Sequence, residues 1–171
     1  SVEDKVRESL ERIYKKHEKV LRDVERTLKE IHEEHREAVE RVRRELERIK
    51  RKLEELPVDK DMIRRLEELI KELERRADES DDDLRRKIDE LRRRAEESNK
   101  KLKRDIDRLR EAKLPDKDVE RVLKKLDDDV RKSVKELTDV LKRLREEVKR
   151  SVEELEDVLR KLDKEVDDTA K

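Results

Sequence analysis

VERVLKKLDDDVRKSVKE (119–136) and LTDVLKRLREEVKRSVEE (137–154) stand end to end near the chain's close, and they are one pattern written twice. Val119 and Leu137, Val122 and Val140, Leu123 and Leu141, Leu126 and Leu144, Val130 and Val148 share positions, and so do Ser133 and Ser151. LEDVLRKLDKEVDDTAK (155–171) begins a third copy. The apolar positions step by three and four, which selects a helix over a strand. The repeat length matters as much as the steps: 18 residues fill five turns at about 3.6 residues per turn, the period of a straight helix. A heptad would impose about 3.5 and a left-handed supercoil, so nearly untwisted helices are expected.

The same period runs back through the whole chain. In the first third the stripe is Val2, Val6, Leu10, Ile13, His17, Val20, Val24, Leu28, Ile31, His35, Ala38, Val42, Leu46, Ile49, Leu53, Leu56. In the middle third Leu66, Leu84 and Leu102 share one slot, Ile70, Ile88 and Ile106 another, and Leu73, Leu91 and Leu109 a third. These repeats describe a helix surface rather than a folded unit, which excludes a solenoid of helix-turn-helix repeats. Ser80-Asp81-Asp82-Asp83 has the look of a helix start. The phase nevertheless continues through it from Leu66 to Leu84 and from Ile70 to Ile88, so one helix is expected there, with its weakest propensity at 78–83.

Periodicity decides between two readings of an extreme composition. Of 171 residues 61% are charged and 30% hydrophobic, with no Gly, Cys, Phe or Trp and only two Pro. Such charge would suit a disordered chain, but a strict apolar stripe supplies the core that disorder lacks. The two prolines cut the chain into near-equal thirds at Leu56-Pro57-Val58-Asp59 and Leu114-Pro115-Asp116. Each Pro stops the helix before it, and the Asp after it is suited to cap the next. Ser1 is placed to cap in the same way. The expected fold is all-α: an elongated antiparallel up-down-up three-helix bundle forming one domain over 1–171, with helices at about 2–56, 59–114 and 116–169.

Charge is balanced, with 52 Lys+Arg against 52 Asp+Glu. The thirds 1–56, 57–114 and 115–171 carry +1, +1 and −2, so none has the basic excess that recruits nucleic acid or an anionic membrane. No apolar run approaches the roughly 20 residues of a membrane span and no signal peptide opens the sequence. A soluble protein without an address is expected. Without cysteine there is neither a disulfide nor a thiolate metal site.

A stripe this regular on three matched helices, with charges on almost every exposed position and the LPVD and LPD turns between them, resembles a computationally designed parametric helical bundle. Spectrin-like repeats are similar in outline, but have shorter helices and usually a Trp. The resemblance implies a de novo structural scaffold in which no evolved activity need exist; high stability is expected from the apolar layers the stripes bury, and no cofactor or partner is expected. A binding or self-association module and a pH-responsive switch are the alternative roles.

The stripe is broken by polar residues at matched heights. His17 and His35 lie in the slot that Leu53 fills in the next repeat; Ser80 and Ser98 share a slot with Met62, and Ser133 and Ser151 with Thr169. His17 and Ser98 are about 40 residues either side of Pro57, and Ser98 and Ser133 about 17 either side of Pro115. His35, Ser80 and Ser151 are matched in the same manner. Antiparallel pairing therefore predicts two buried layers, His17-Ser98-Ser133 and His35-Ser80-Ser151, in which neutral imidazole and hydroxyls satisfy one another. Leu53, Met62 and Thr169 should form the apolar version of the layer. The role expected of the polar layers is to make register shifts and alternative helix orders costly.

EIHEEHRE (30–37) resembles a metal motif until this register is applied. His35 then points to the core, His32 falls at the edge of the arc in the slot of Tyr14, and Glu33 and Glu34 are solvated. Each layer holds one histidine, too few for zinc, which takes three or four protein ligands. The Glu-x-x-His of di-iron bundles is missing, since Tyr14, Lys29 and His32 stand three residues before His17, His32 and His35. Nucleophilic catalysis by Ser and His needs substrate access, an oxyanion site and an acid to orient the imidazole, none of which the sequence displays. No catalytic, metal or cofactor site is expected. The apolar arcs are each about 120° wide, what a closed three-helix bundle consumes, so a monomer is favoured over self-association.

Overall fold

A computed structural model describes residues 1–171, and it is an all-α three-helix bundle. Helix α1 spans Val2–Glu55, α2 Lys60–Glu111 and α3 Asp116–Thr169. No helix is long and apolar enough to cross a membrane.

The ends follow from local chemistry. Ser1 caps α1, its Oγ accepting the Asp4 amide proton at 3.2 Å. Asp59 caps α2, its Oδ1 facing the Asp61 amide at 3.4 Å while its carbonyl takes the amides of Met62 and Ile63. The third start differs from expectation. Asp116 lies inside the first turn of α3, and Pro115 precedes it at the cap, its carbonyl accepting the Asp118 amide at 2.9 Å. Asp116 and Asp118 then act on the helix dipole rather than as caps. Helix α2 also stops at Glu111, three residues short of the expected end, because the residue before a proline is driven out of helical backbone and Leu114 must leave the helix early. No residue has positive φ, so neither turn needs the glycine that the chain lacks.

Helix α2 passes unbroken through Ser80-Asp81-Asp82-Asp83. Ala77 and Leu84 are buried on either side, and the local carboxylates pair forward along the helix, Asp81 with Arg85 at 3.2 Å and Asp83 with Lys87 at 2.9 Å. The acidic run is thus neutralised without ending the helix.

The chain packs as two compact units, each built from a part of all three helices. The first comprises Ser1–Lys29 and Ile88–Arg143. Its core contains Leu10, Ile13, Leu102, Ile106 and Leu126, with Val6, Tyr14, Leu109, Leu123 and Val130 packed against it. Arg92 of α2 grips the Glu25 carboxylate of α1 from the rim, with contacts of 2.8 to 3.2 Å. The second comprises Glu30–Lys87 and Leu144–Lys171. Its core includes Val42, Leu46, Ile49 and Leu53 of α1, Leu66, Ile70 and Leu73 of α2, and Leu155, Leu162 and Val166 of α3. Four ion pairs join α1 to α3 in this unit: Glu30–Arg145, Arg48–Asp163 and Lys52–Asp167, each between residues 115 apart in sequence, and Lys52–Asp163, one turn offset from them. A constant separation means that these two helices run parallel, as up-down-up order requires.

One expected layer does not close. Leu53 is buried, but Met62 is 48% exposed and Thr169 is only partly covered, its hydroxyl turned back to the Glu165 carbonyl at 2.8 Å. Both lie within a turn of a helix end, where the cover from neighbouring helices is incomplete.

Candidate functional site

Each compact unit contains one of the two polar layers, and the six residues meet as the register requires. In the first unit His17 Nε2 is 2.9 Å from Ser98 Oγ, which is 2.8 Å from Ser133 Oγ. In the second, His35 Nε2 is 2.8 Å from Ser80 Oγ, which is 2.9 Å from Ser151 Oγ. Both histidines are buried to 1% exposure, while the four serines are half-buried. Each imidazole reaches the serine of α2, and that serine reaches the serine of α3, so one chain of hydrogen bonds crosses all three helices.

The layers do not satisfy the rings completely. The Nδ1 atoms of His17 and His35 are buried without a hydrogen-bond partner, and so is Oδ1 of Asn99. What faces these nitrogens is a pair of residues that the sequence reading passed over. Asp81 Oδ1 lies 3.6 Å from His35 Nδ1, beyond hydrogen-bond length but within ion-pair reach. The Asn99 amide lies against His17. Asp81 and Asn99 follow Ser80 and Ser98 directly and stand 18 residues apart, one slot of the repeat filled first by a carboxylate and then by its neutral isostere. The signal was available: Asn99 is the single asparagine of the chain, in a slot adjoining a core serine.

In the second unit the charge of the fourth member favours one tautomer. A carboxylate only accepts, so Asp81 favours the proton on His35 Nδ1, leaving Nε2 to accept from Ser80 O–H and Ser80 to accept from Ser151 O–H. Asn99 presents either an acceptor or a donor, and imposes no such direction.

Burial holds both imidazoles below the ordinary histidine range. Against that, the Asn99 amide and the Glu18 charge favour protonation of His17, and the Asp81 charge favours it for His35. His32 works with burial at His35. It sits half-buried at the edge of α1, as its slot predicts. No group of three or more His, Asp or Glu side chains converges in an arrangement that could hold a metal ion.

No protein-family model matches this chain, and neither does any curated protein or solved structure.

Proposed function

We propose that this chain is a de novo designed structural scaffold that acts as a single chain, not an enzyme, and that its two buried polar layers specify the register of the three helices. The observation that carries this reading is the hydrogen-bonded path from α1 through α2 to α3, repeated in each compact unit at the same point of the repeat. An apolar core of Leu, Val and Ile can be re-registered by one repeat at small cost. Moving a His-Ser-Ser chain out of register strands several buried polar groups at once, each worth about 1–3 kcal/mol. The 18-residue repeat itself supports a designed origin. No cofactor, nucleic acid, membrane or second chain is called for.

The test replaces His17 and His35 by Leu and the four serines by Ala in one variant. Unchanged helicity with doubled amide resonances or a concentration-dependent mass supports the role in register. A single sharp set of resonances at monomer mass would sink it.

A pH-responsive role is the second reading, favoured by the burial of both neutral imidazoles. It adds to the register role, since acid would break the layers that define the register.

A further inference from the structure

We infer that Ser80 is an activated nucleophile, its hydroxyl proton accepted by His35 and the imidazole oriented by Asp81, open to activated acyl esters from the groove beside it. Four observations converge on this residue. Ser80 Oγ is 2.8 Å from His35 Nε2. Asp81 lies at the opposite ring nitrogen, 3.6 Å away, as the third member of a Ser-His-Asp arrangement must. Such contacts are often long before a substrate is bound. The Ser151 hydroxyl, 2.9 Å from Ser80 Oγ, is free to donate to the oxygen as charge develops on it. Finally, Ser80 and Ser151 are not sealed in the core: they line an open groove of about 950 Å³ with Arg76, Leu155 and Val158.

The other layer serves as an internal comparison. Ser98 is placed on His17 as Ser80 is on His35, but the orienting position holds Asn99. An amide is neutral and supplies no negative charge to steady the imidazolium that forms as a serine gives up its proton. Ser80 should therefore react and Ser98 should not.

With p-nitrophenyl acetate the step is closed in atoms and electrons. Ser80 Oγ bonds to the acetyl carbon as its proton passes to His35 Nε2, and the C–O bond to the p-nitrophenyl group breaks, releasing p-nitrophenolate with the bonding pair. His35 then returns its proton to solvent. Arg76, one turn before Ser80, lines the same groove and pairs with Glu72 at 3.5 Å. The backbone amides around Ser80 are committed to an unbroken helix and supply no oxyanion hole. The product is accordingly a lasting acetyl-serine, a single modification rather than turnover.

The experiment is time-resolved peptide mapping of the intact chain with p-nitrophenyl acetate, which locates the acetyl group among the reactive lysines. Acetylation of Ser80, absent in Ser80→Ala and slowed about 100-fold in Asp81→Asn, is expected. Asn99→Asp should bring Ser98 up toward the rate of Ser80. Equal labelling of Ser80 and Ser98 in the parent chain, or unchanged labelling of Ser80 in Asp81→Asn, overturns the inference. If circular dichroism finds Asp81→Asn unfolded, His35→Gln decides: loss of labelling at Ser80 upholds it and unchanged labelling overturns it.

Discussion

His35 and Asp81 approach to 3.6 Å, ring nitrogen to carboxylate oxygen, with the imidazole fully enclosed and the carboxylate 23% exposed. The pair joins a buried neutral base to a group anchored at the surface, where Arg85 also holds it at 3.2 Å. His17 has an amide in the corresponding place. Two layers that are alike in their His-Ser-Ser geometry thus differ in the charge presented to the ring, and that difference separates their behaviour.

Stability should depend on pH through both histidines. Burial lowers their folded-state pKa below the ordinary value of 6.5. The unfolded chain therefore binds protons first as pH falls, and protonation favours unfolding. Urea denaturation should give a flat stability above about pH 7, a decline as pH drops through the unfolded histidine value, and a levelling once the folded rings are protonated too. In His17→Leu/His35→Leu this decline should vanish. A decline that persists there would place its origin in the carboxylates.

Removing the Asp81 charge should act on one ring alone. Asp81 favours protonation of His35, so Asp81→Asn should push the His35 pKa further down and leave His17 unmoved. Side-chain NMR titration of all three rings reads both values directly, with half-exposed His32 as a reference for solvent contact. Equal displacement of His17 and His35 would show a global change in place of a local charge effect.

Deleting one hydroxyl should cost more than deleting the whole layer. Ser98→Ala leaves His17 Nε2 and Ser133 Oγ without their partner, at about 1–3 kcal/mol. Replacing the layer with His17→Leu, Ser98→Ala and Ser133→Ala removes every polar group together and should come within about 1 kcal/mol of the parent. Chemical denaturation of the single and triple variants tests the order. A triple variant weaker than the single one would mean that the layer stabilises on balance, beyond what it specifies.

The three helices and the membership of both layers were legible because one signal, the 18-residue period, carries both. It placed His17 and His35 in the core and joined them to serines that are distant in sequence. It also kept α2 whole through Ser80-Asp81-Asp82-Asp83. What escaped had a different physical origin. Met62 shares a core slot but lies in the first turn of α2, where a periodic pattern says nothing about whether a neighbour covers it. Asp116 read as a cap because its residue type suits one, whereas backbone geometry gave that place to Pro115. Asp81 and Asn99 were hidden by the convention that charged and polar residues beside a stripe face water. Their contact with the rings depends on side-chain reach from the rim, which a helical wheel does not represent.

The same distinction between slot and coverage predicts unequal losses from one substitution. Leu46 is 1% exposed in the core of the second unit, while Leu69 in the same unit is 42% exposed although it extends the apolar arc of α2. Leu46→Ala removes close packing and leaves a cavity, and should cost about 2–5 kcal/mol. Leu69→Ala gives up little buried surface and gains slightly in helix propensity, so its effect should stay within about 0.5 kcal/mol. Urea midpoints at constant m value measure both. A loss at Leu69 comparable to that at Leu46 would mean that something covers Leu69 in solution. A second copy of the chain would then be the first candidate, and the midpoint would rise with protein concentration.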